Sequence, residues 1–223
     1  MNRLTLIFAV AVFLSSCNQD DGDSVILPFI GKEYVSLRVG QEAIYQIDST
    51  IYDDFSGTTN RLSLQQKEVV ASMEIDGGNR ETFIVEIYTR AADTLPWRIN
   101  RITKRTLTNY RLEVLDNNLV TVPLVFPIAL RKRFNSNVLN TRAEKDYVYT
   151  SVSEPFSNGN LQYDSTISIL QFEEENLIEQ ILEVETHAAG VGLILRQHKD
   201  VETEFNGDIR SGFESEMRLI SFN

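Results

Sequence analysis

The feature that most limits this chain's fold is a two-residue rhythm that recurs along most of it. Tyr45, Ile47, Ser49 and Ile51 alternate with Gln46, Asp48 and Thr50. Leu62 and Leu64 alternate with Arg61, Ser63 and Gln65, and Phe83, Val85 and Ile87 flank Glu86. Tyr110, Leu112 and Val114 alternate with Arg111 and Glu113, and Met217 and Leu219 with Glu216 and Arg218. Successive side chains on a strand point to opposite faces, so this rhythm gives one apolar and one wet face, as in antiparallel sheets. The breaks carry turn residues: Asp54 to Asn60, Asp76-Gly77-Gly78-Asn79, Asp116-Asn117-Asn118, Asn158-Gly159-Asn160 and Asn206-Gly207-Asp208. Their short spacing predicts hairpins joined as a meander. Two stretches are less regular. Leu119 to Phe126 is apolar but holds Pro123, which suits an edge or a bulge because proline donates no ladder hydrogen bond. Glu173 to His187 fits a helical or a strand period. Strand is the better reading, because β-branched residues and glycines follow in Ala189-Gly190-Val191-Gly192-Leu193-Ile194. The expected fold is mainly β: a single antiparallel, strongly curved sheet or open β-barrel over residues 25–223, with few or no helices.

The start of the chain says where such a domain would sit. Arg3 is followed by the apolar run Leu4 to Leu14, then Ser15-Ser16-Cys17. The run suits a secretory signal and is too short to span a bilayer, which takes ~20 helical residues. Small residues before a cysteine, directly after such a run, resemble the lipobox of bacterial lipoproteins. That resemblance implies removal of residues 1–16 and acylation of Cys17, leaving Cys17 as a lipid attachment point. Acyl chains contribute ~0.8 kcal/mol per buried methylene, so several of them anchor a protein durably. Residues 17–24 form the acylated cysteine and an acidic tether, Asn18 to Ser24, that would span about 25 Å if extended at ~3.3 Å per residue. Asp20-Asp21 also resembles the surface-export signal of Bacteroidetes lipoproteins. A simply solvated linker accounts for it equally well.

Composition narrows the function. The full chain has 21 Lys+Arg against 32 Asp+Glu, a formal net charge of −11. Losing residues 1–16 removes Arg3 alone and makes it −12. Such a balance excludes nucleic acid and weakens adhesion to anionic lipid. Cys17 is the single cysteine, so no intrachain disulfide can form and stability rests on an apolar core.

Motifs with chemistry are scarce. His187 and His198 stand eleven residues apart with no zinc-type spacing, and read as strand-surface histidines. No Gly-x-Ser-x-Gly or Ser-x-x-Lys marks a nucleophile. Gly190-Val191-Gly192 lacks the surroundings of a phosphate loop and reads as a strand bend. The acidic groups Asp20 to Asp23, Asp53-Asp54 and Glu173 to Glu175 lack a calcium-loop pattern. No metal, cofactor or catalytic residue is assigned. Trp97, Tyr45, Tyr52, Tyr88, Tyr110, Tyr147, Tyr149 and Tyr163 either cover a β core or line a binding face.

From Val39 to about Lys199 the chain resembles a family of uncharacterised Bacteroidetes lipoproteins. Val39-Gly40, Tyr45-x-x-Asp48-Ser49, Phe126-Pro127, Phe134-x-x-Asn137-x-x-Asn140 and Ala189 to Ile194 carry the likeness in order. Relatives often have tryptophan and glycine where this chain has Phe134 and Ser136. The glycine-rich bend is also similar to half-barrel lipoproteins of the lipid-carrier type. The family brings no established activity. The expected function is that of a membrane-anchored, non-catalytic binding or accessory module of the cell envelope, at the outer membrane. Its partners would be the membrane, through Cys17, and an envelope protein or small hydrophobic ligand. A carrier of lipid or another hydrophobic ligand in a β-cavity is the first alternative. An envelope glycan or peptide hydrolase is the second.

Overall fold

The computed structural model describes residues 30–158 and 161–223. The signal segment, Cys17, the tether and the Gly159-Asn160 turn lie outside the described residues. Among the described residues, twelve strands follow a short 3-10 helix, Lys32–Tyr34. They are β1 (Glu42–Asp53), β2 (Thr58–Ile75), β3 (Glu81–Arg90), β4 (Arg98–Leu107), β5 (Arg111–Asp116) and β6 (Leu119–Val125). The second set is β7 (Arg133–Asn135), β8 (Asp146–Asn158), β9 (Leu161–Glu175), β10 (Glu179–Ala188), β11 (Gly192–Thr203) and β12 (Ile209–Phe222). All belong to one antiparallel sheet in the order β6-β5-β4-β3-β2-β1-β12-β11-β10-β9-β8-β7. The chain therefore starts mid-sheet, winds outward to one edge, crosses to the other and winds back to lie beside β1.

The two edges curl toward each other into a nearly closed barrel. Val122 N–H on β6 donates to the Ser136 carbonyl just after β7, at 2.9 Å. The Tyr149 hydroxyl on β8 accepts from Val125 N–H at 3.0 Å and donates to the Val125 carbonyl at 2.9 Å. Asn140 donates through Nδ2 to the Val120 carbonyl at 2.8 Å. Three neighbouring residues of the proline-bearing edge strand are thus satisfied from across the seam. Pro123 lies at the register shift opposite Glu113, where β5 and β6 leave the ladder unpaired. The missing proline N–H therefore leaves no ladder bond unmade.

The ambiguous stretch 173–187 is strand in both halves, broken by a turn between Glu175 and Glu179. Asn176 shapes that turn by accepting from Ile178 N–H at 3.0 Å. Tyr110 departs from the expected alternation: it sits in the turn before β5 and is largely exposed.

Two apolar clusters fill the interior. One joins Tyr34, Leu112, Leu124, Phe126, Ile128, Tyr149, Ile167 and Ile169 near the seam. The other joins Ala43, Tyr45, Ala188, Ile194, Leu195, Met217 and Leu219 around the β1–β12 junction. The segment before β1 covers one end. Tyr34 is fully buried and its hydroxyl pairs with Ser165 Oγ at 2.7 Å. Gly190 N–H donates to the Glu33 carbonyl at 2.7 Å. Gly31 has φ of 85°, and a Cβ there would lie 2.5 Å from Ile128 Cδ1, so the close approach needs glycine.

Candidate functional site

Between the two clusters the barrel keeps a cavity of about 300 Å³. Residues 34–37 and Gln41 of the covering segment line it beside Val191, Gly192 and Leu193 of the β10–β11 bend. Ser36 Oγ donates to Gln41 Oε1 at 2.8 Å, and Gln41 Nε2 returns a bond to the Ser36 carbonyl at 3.1 Å, which holds the cover as a closed loop. Part of the lining is apolar. Val35, Leu37, Leu112 and Val114 extend from the seam-side cluster, with Val70 and Val85 nearby.

The rest of the lining is charged, and strand register explains how the charges meet. Glu185 on β10 lies directly opposite Arg196 on β11. Arg196 Nε donates to Glu185 Oε1 at 2.7 Å, and His187 Nε2 lies 3.3 Å from Glu185 Oε2. On the facing wall, Arg105 of β4 reaches over β3 to Glu68 of β2, with Nη2 2.6 Å from Oε2. Gln66 Nε2 donates to the other oxygen, Glu68 Oε1, at 3.1 Å. Tyr45 lies among these four charges and its hydroxyl donates to the Leu193 carbonyl at 3.1 Å. Arg196 borders the cavity and 46% of its side chain is accessible.

The electrostatics follow from this crowding. Burial alone would raise the Glu185 carboxyl. The Arg196 guanidinium, with the His187 bond, more than offsets that and holds it well below the usual carboxylate range. Burial, reinforced by the Glu68 carboxylate, pushes the Tyr45 phenol far up, against the pull of Arg105 and Arg196. At neutral pH the site therefore presents an ionised Glu185 with both oxygens occupied and a protonated Tyr45. Such a carboxylate cannot donate a proton as a general acid.

The residues singled out in the sequence are dispersed. Cys17 and Asp20 to Asp23 lie outside the described residues. His187 corrects the expectation of a strand-surface histidine: it is buried and borders the cavity. His198 is half-exposed and packs nearly perpendicular to Phe213, ring centroids 4.7 Å apart. Asp53 organises its own turn, accepting from Phe55 N–H and Ser56 Oγ. Among the described residues no three His, Cys, Asp or Glu side chains converge as a metal site. Gly190 and Gly192 take positive φ at the β10–β11 bend. Asn137 and Asn140 brace the loop after β7. Asn137 Nδ2 donates to the Ala143 carbonyl at 2.7 Å, and Asn140 Nδ2 to Asn137 Oδ1 at 3.1 Å. Phe134 packs against Tyr147 and Tyr149 at 5.7 and 5.4 Å.

Some of the aromatics take the expected roles, whereas Tyr110 is exposed. Tyr45 and Tyr149 are buried, Tyr45 and Tyr147 line the cavity, and Trp97 lies under the Arg90 guanidinium at 4.3 Å. Glu68, Arg105, Glu185 and Arg196 were not foreseen as site residues. One signal for them was available: Arg196 shares strand parity with the buried Ile194.

No protein-family description matches the sequence, and no curated protein does. Two solved structures are similar in shape. One is an exported protein, so assigned by inference, with a YmcC-like fold from Bacteroides fragilis. It has a TM-score of 0.48 and 6% identity, covering 88% of this chain and 100% of the other. The second is an inferred lipoprotein from Parabacteroides distasonis, with a TM-score of 0.47 and 11% identity, covering 85% of this chain and 98% of the other.

Proposed function

We propose that this chain is an envelope lipoprotein, held to the outer membrane through an acylated Cys17, whose barrel is a non-catalytic binding module for a small ligand. The observation that carries the binding reading is the cavity of about 300 Å³, part apolar and part charged, under a cover built from the segment that follows the tether. Concave sites with an apolar lining and a few placed polar groups are the usual form of small-molecule sites. The volume sits at the lower end of that class, roughly 300–1,000 Å³, which favours a small ligand over a whole lipid. The hydrolase alternative gains little support: Glu185 is locked in an ion pair, and the Ser36 hydroxyl donates to Gln41.

Two measurements test this reading. In the native host, Cys17→Ala should release the protein from the membrane fraction and remove the lipid mass from its amino terminus. Retention with unchanged mass would overturn the anchor. For the cavity, the chain 17–223 with Cys17→Ser should give a one-to-one small-molecule adduct in native mass spectrometry after exposure to a host envelope extract. Filling the void with Val85→Trp should abolish that adduct. An adduct that survives Val85→Trp, or none at all, would overturn the cavity as the binding site.

A further inference from the structure

Donors and acceptors in the cavity do not balance, and the imbalance selects a ligand chemistry. Both oxygens of Glu185 are engaged, one by Arg196 and one by His187. Both oxygens of Glu68 are engaged, one by Arg105 and one by Gln66. The guanidiniums are not used up. A guanidinium has five N–H donors in a planar fork. Arg105 spends Nη2 on Glu68, and among the described residues its Nε and Nη1 meet no oxygen acceptor. Arg196 spends Nε on Glu185, while Nη1 meets only Met217 Sδ at 3.9 Å and Nη2 meets no acceptor. The lining therefore offers carboxylates whose oxygens each already accept a bond, and guanidiniums with most of their N–H donors unspent. The two arginines also repel each other across the site.

Resting on the reading of the barrel as a binding module, we infer that its ligand is a small amphipathic oxyanion. Its head, a carboxylate or a group of the same shape and charge, is held by the spare N–H groups of Arg105 and Arg196, and its short aliphatic tail lies on Val35, Leu37, Leu112 and Val114. An acceptor-only head suits a donor-rich pocket, and a planar carboxylate matches a guanidinium fork in geometry as well as charge. Size sets the tail. A water occupies ~30 Å³ of liquid, so a void of about 300 Å³ holds roughly ten non-hydrogen atoms. Octanoate has that many and is the probe of choice.

The test is isothermal titration of the chain 17–223 carrying Cys17→Ser. Octanoate is compared with 1-octanol, which keeps the tail and replaces the anion. Octanoate should bind one-to-one and 1-octanol at least about tenfold more weakly, the lower end for a hydrogen bond to a charged group. Glu185→Gln/Arg196→Gln removes one ion pair with both partners, so no buried charge is stranded. It should weaken octanoate at least about tenfold and leave 1-octanol unchanged. Glu68→Gln/Arg105→Gln does the same at the facing wall and serves if the first pair of substitutions disturbs folding, as read by near-UV circular dichroism. Equal binding of octanoate and 1-octanol to the unsubstituted cavity would overturn the oxyanion head while leaving a binding cavity. Full octanoate affinity in both folded double variants would do the same. Binding of neither probe would overturn the oxyanion inference by itself. An adduct from envelope extract that depends on the open void would then show that a different ligand occupies the module.

Discussion

The Tyr149 hydroxyl stands in for a missing strand: it accepts from Val125 N–H and donates to the Val125 carbonyl, closing a gap between β6 and β8 that backbone alone leaves open. Tyr149 is fully buried, so both Val125 groups would lose their partner in Tyr149→Phe with little room for water. A buried backbone group left unpaired costs ~1–3 kcal/mol, and relaxation of the seam would recover part of two such losses. We expect Tyr149→Phe to lose about 2–4 kcal/mol, lowering Tm by roughly 5–15 °C for a domain of this size. Urea unfolding of both proteins checks this. A loss below about 0.5 kcal/mol, within ordinary surface scatter, would mean the seam does not depend on this hydroxyl.

Asn140 supports the same closure from the loop. Its Nδ2 bonds both the Val120 carbonyl and Asn137 Oδ1, and its own Oδ1 accepts from Arg142 N–H at 2.9 Å. Asn140→Asp keeps the acceptor and loses the donor, placing a carboxylate against two oxygens. It should destabilise more than Asn140→Ala, with Asn140→Ala costing about 1–2 kcal/mol for the lost bonds. Hydrogen exchange of the Val122 and Val125 amides should rise in both variants if the loop holds the edge. Unchanged protection there would show that Tyr149 and the Ser136 bond suffice.

Much of this architecture was legible and some was not, for identifiable reasons. Alternation such as Tyr45-x-Ile47-x-Ser49 shows that residues share a face. It does not show which face is enclosed when charges sit in phase with apolar residues, as Arg196 does with Ile194. Pro123 did mark an edge strand, because a residue without N–H is excluded from a central ladder. Asn137 and Asn140 stood out as a motif, but their bond partners lie up to 20 residues away and follow from closure of the barrel. The polar cavity was illegible for the same reason. Arg105 and Glu68 are 37 residues apart and meet only because β3 lies between their strands. Local pattern predicts strands, and long-range register decides what they enclose.

Gly212 tests that register. It takes φ of 108° on β12 opposite Val201, and a Cβ there would stand 2.1 Å from the Asp200 carbonyl oxygen. Backbone cannot yield as a flexible side chain can, so strands β11 and β12 would have to separate. Gly212→Ala should cost at least about 3 kcal/mol, combining left-handed strain with overpacking. Gly57→Ala is the matched control, with φ of 63° and open space around it. Backbone conformation alone should limit its cost to about 1–2 kcal/mol. Equal losses at the two sites, read by thermal unfolding, would contradict the close strand approach.

Acid should weaken the fold through Glu185 in a defined direction. Burial would raise this carboxyl, yet Arg196 and His187 hold it far below the unfolded value, which is about 4.3 for glutamate. A depressed folded pKa means stability that is complete above the unfolded value and lost as pH falls toward the folded one. Within that window the unfolded chain binds one more proton than the native protein, so this group adds ~1.4 kcal/mol per pH unit to the slope. Asp48, whose depression comes first from the Ser63 hydroxyl bond, adds to the slope in the same direction. Glu185→Gln should then behave in two ways at once. At pH 7 it should be less stable by about 2 kcal/mol, because Arg196 loses a charge-assisted bond while the cavity still hydrates it. Between about pH 4 and pH 2 its stability should fall less steeply than that of the unsubstituted protein, so the two curves converge as the unfolded chain's Glu185 takes up its proton. Urea midpoints at half-unit steps of pH measure both. Parallel curves across the whole range would show that Arg196 and His187 do not hold Glu185 below its unfolded value inside the barrel.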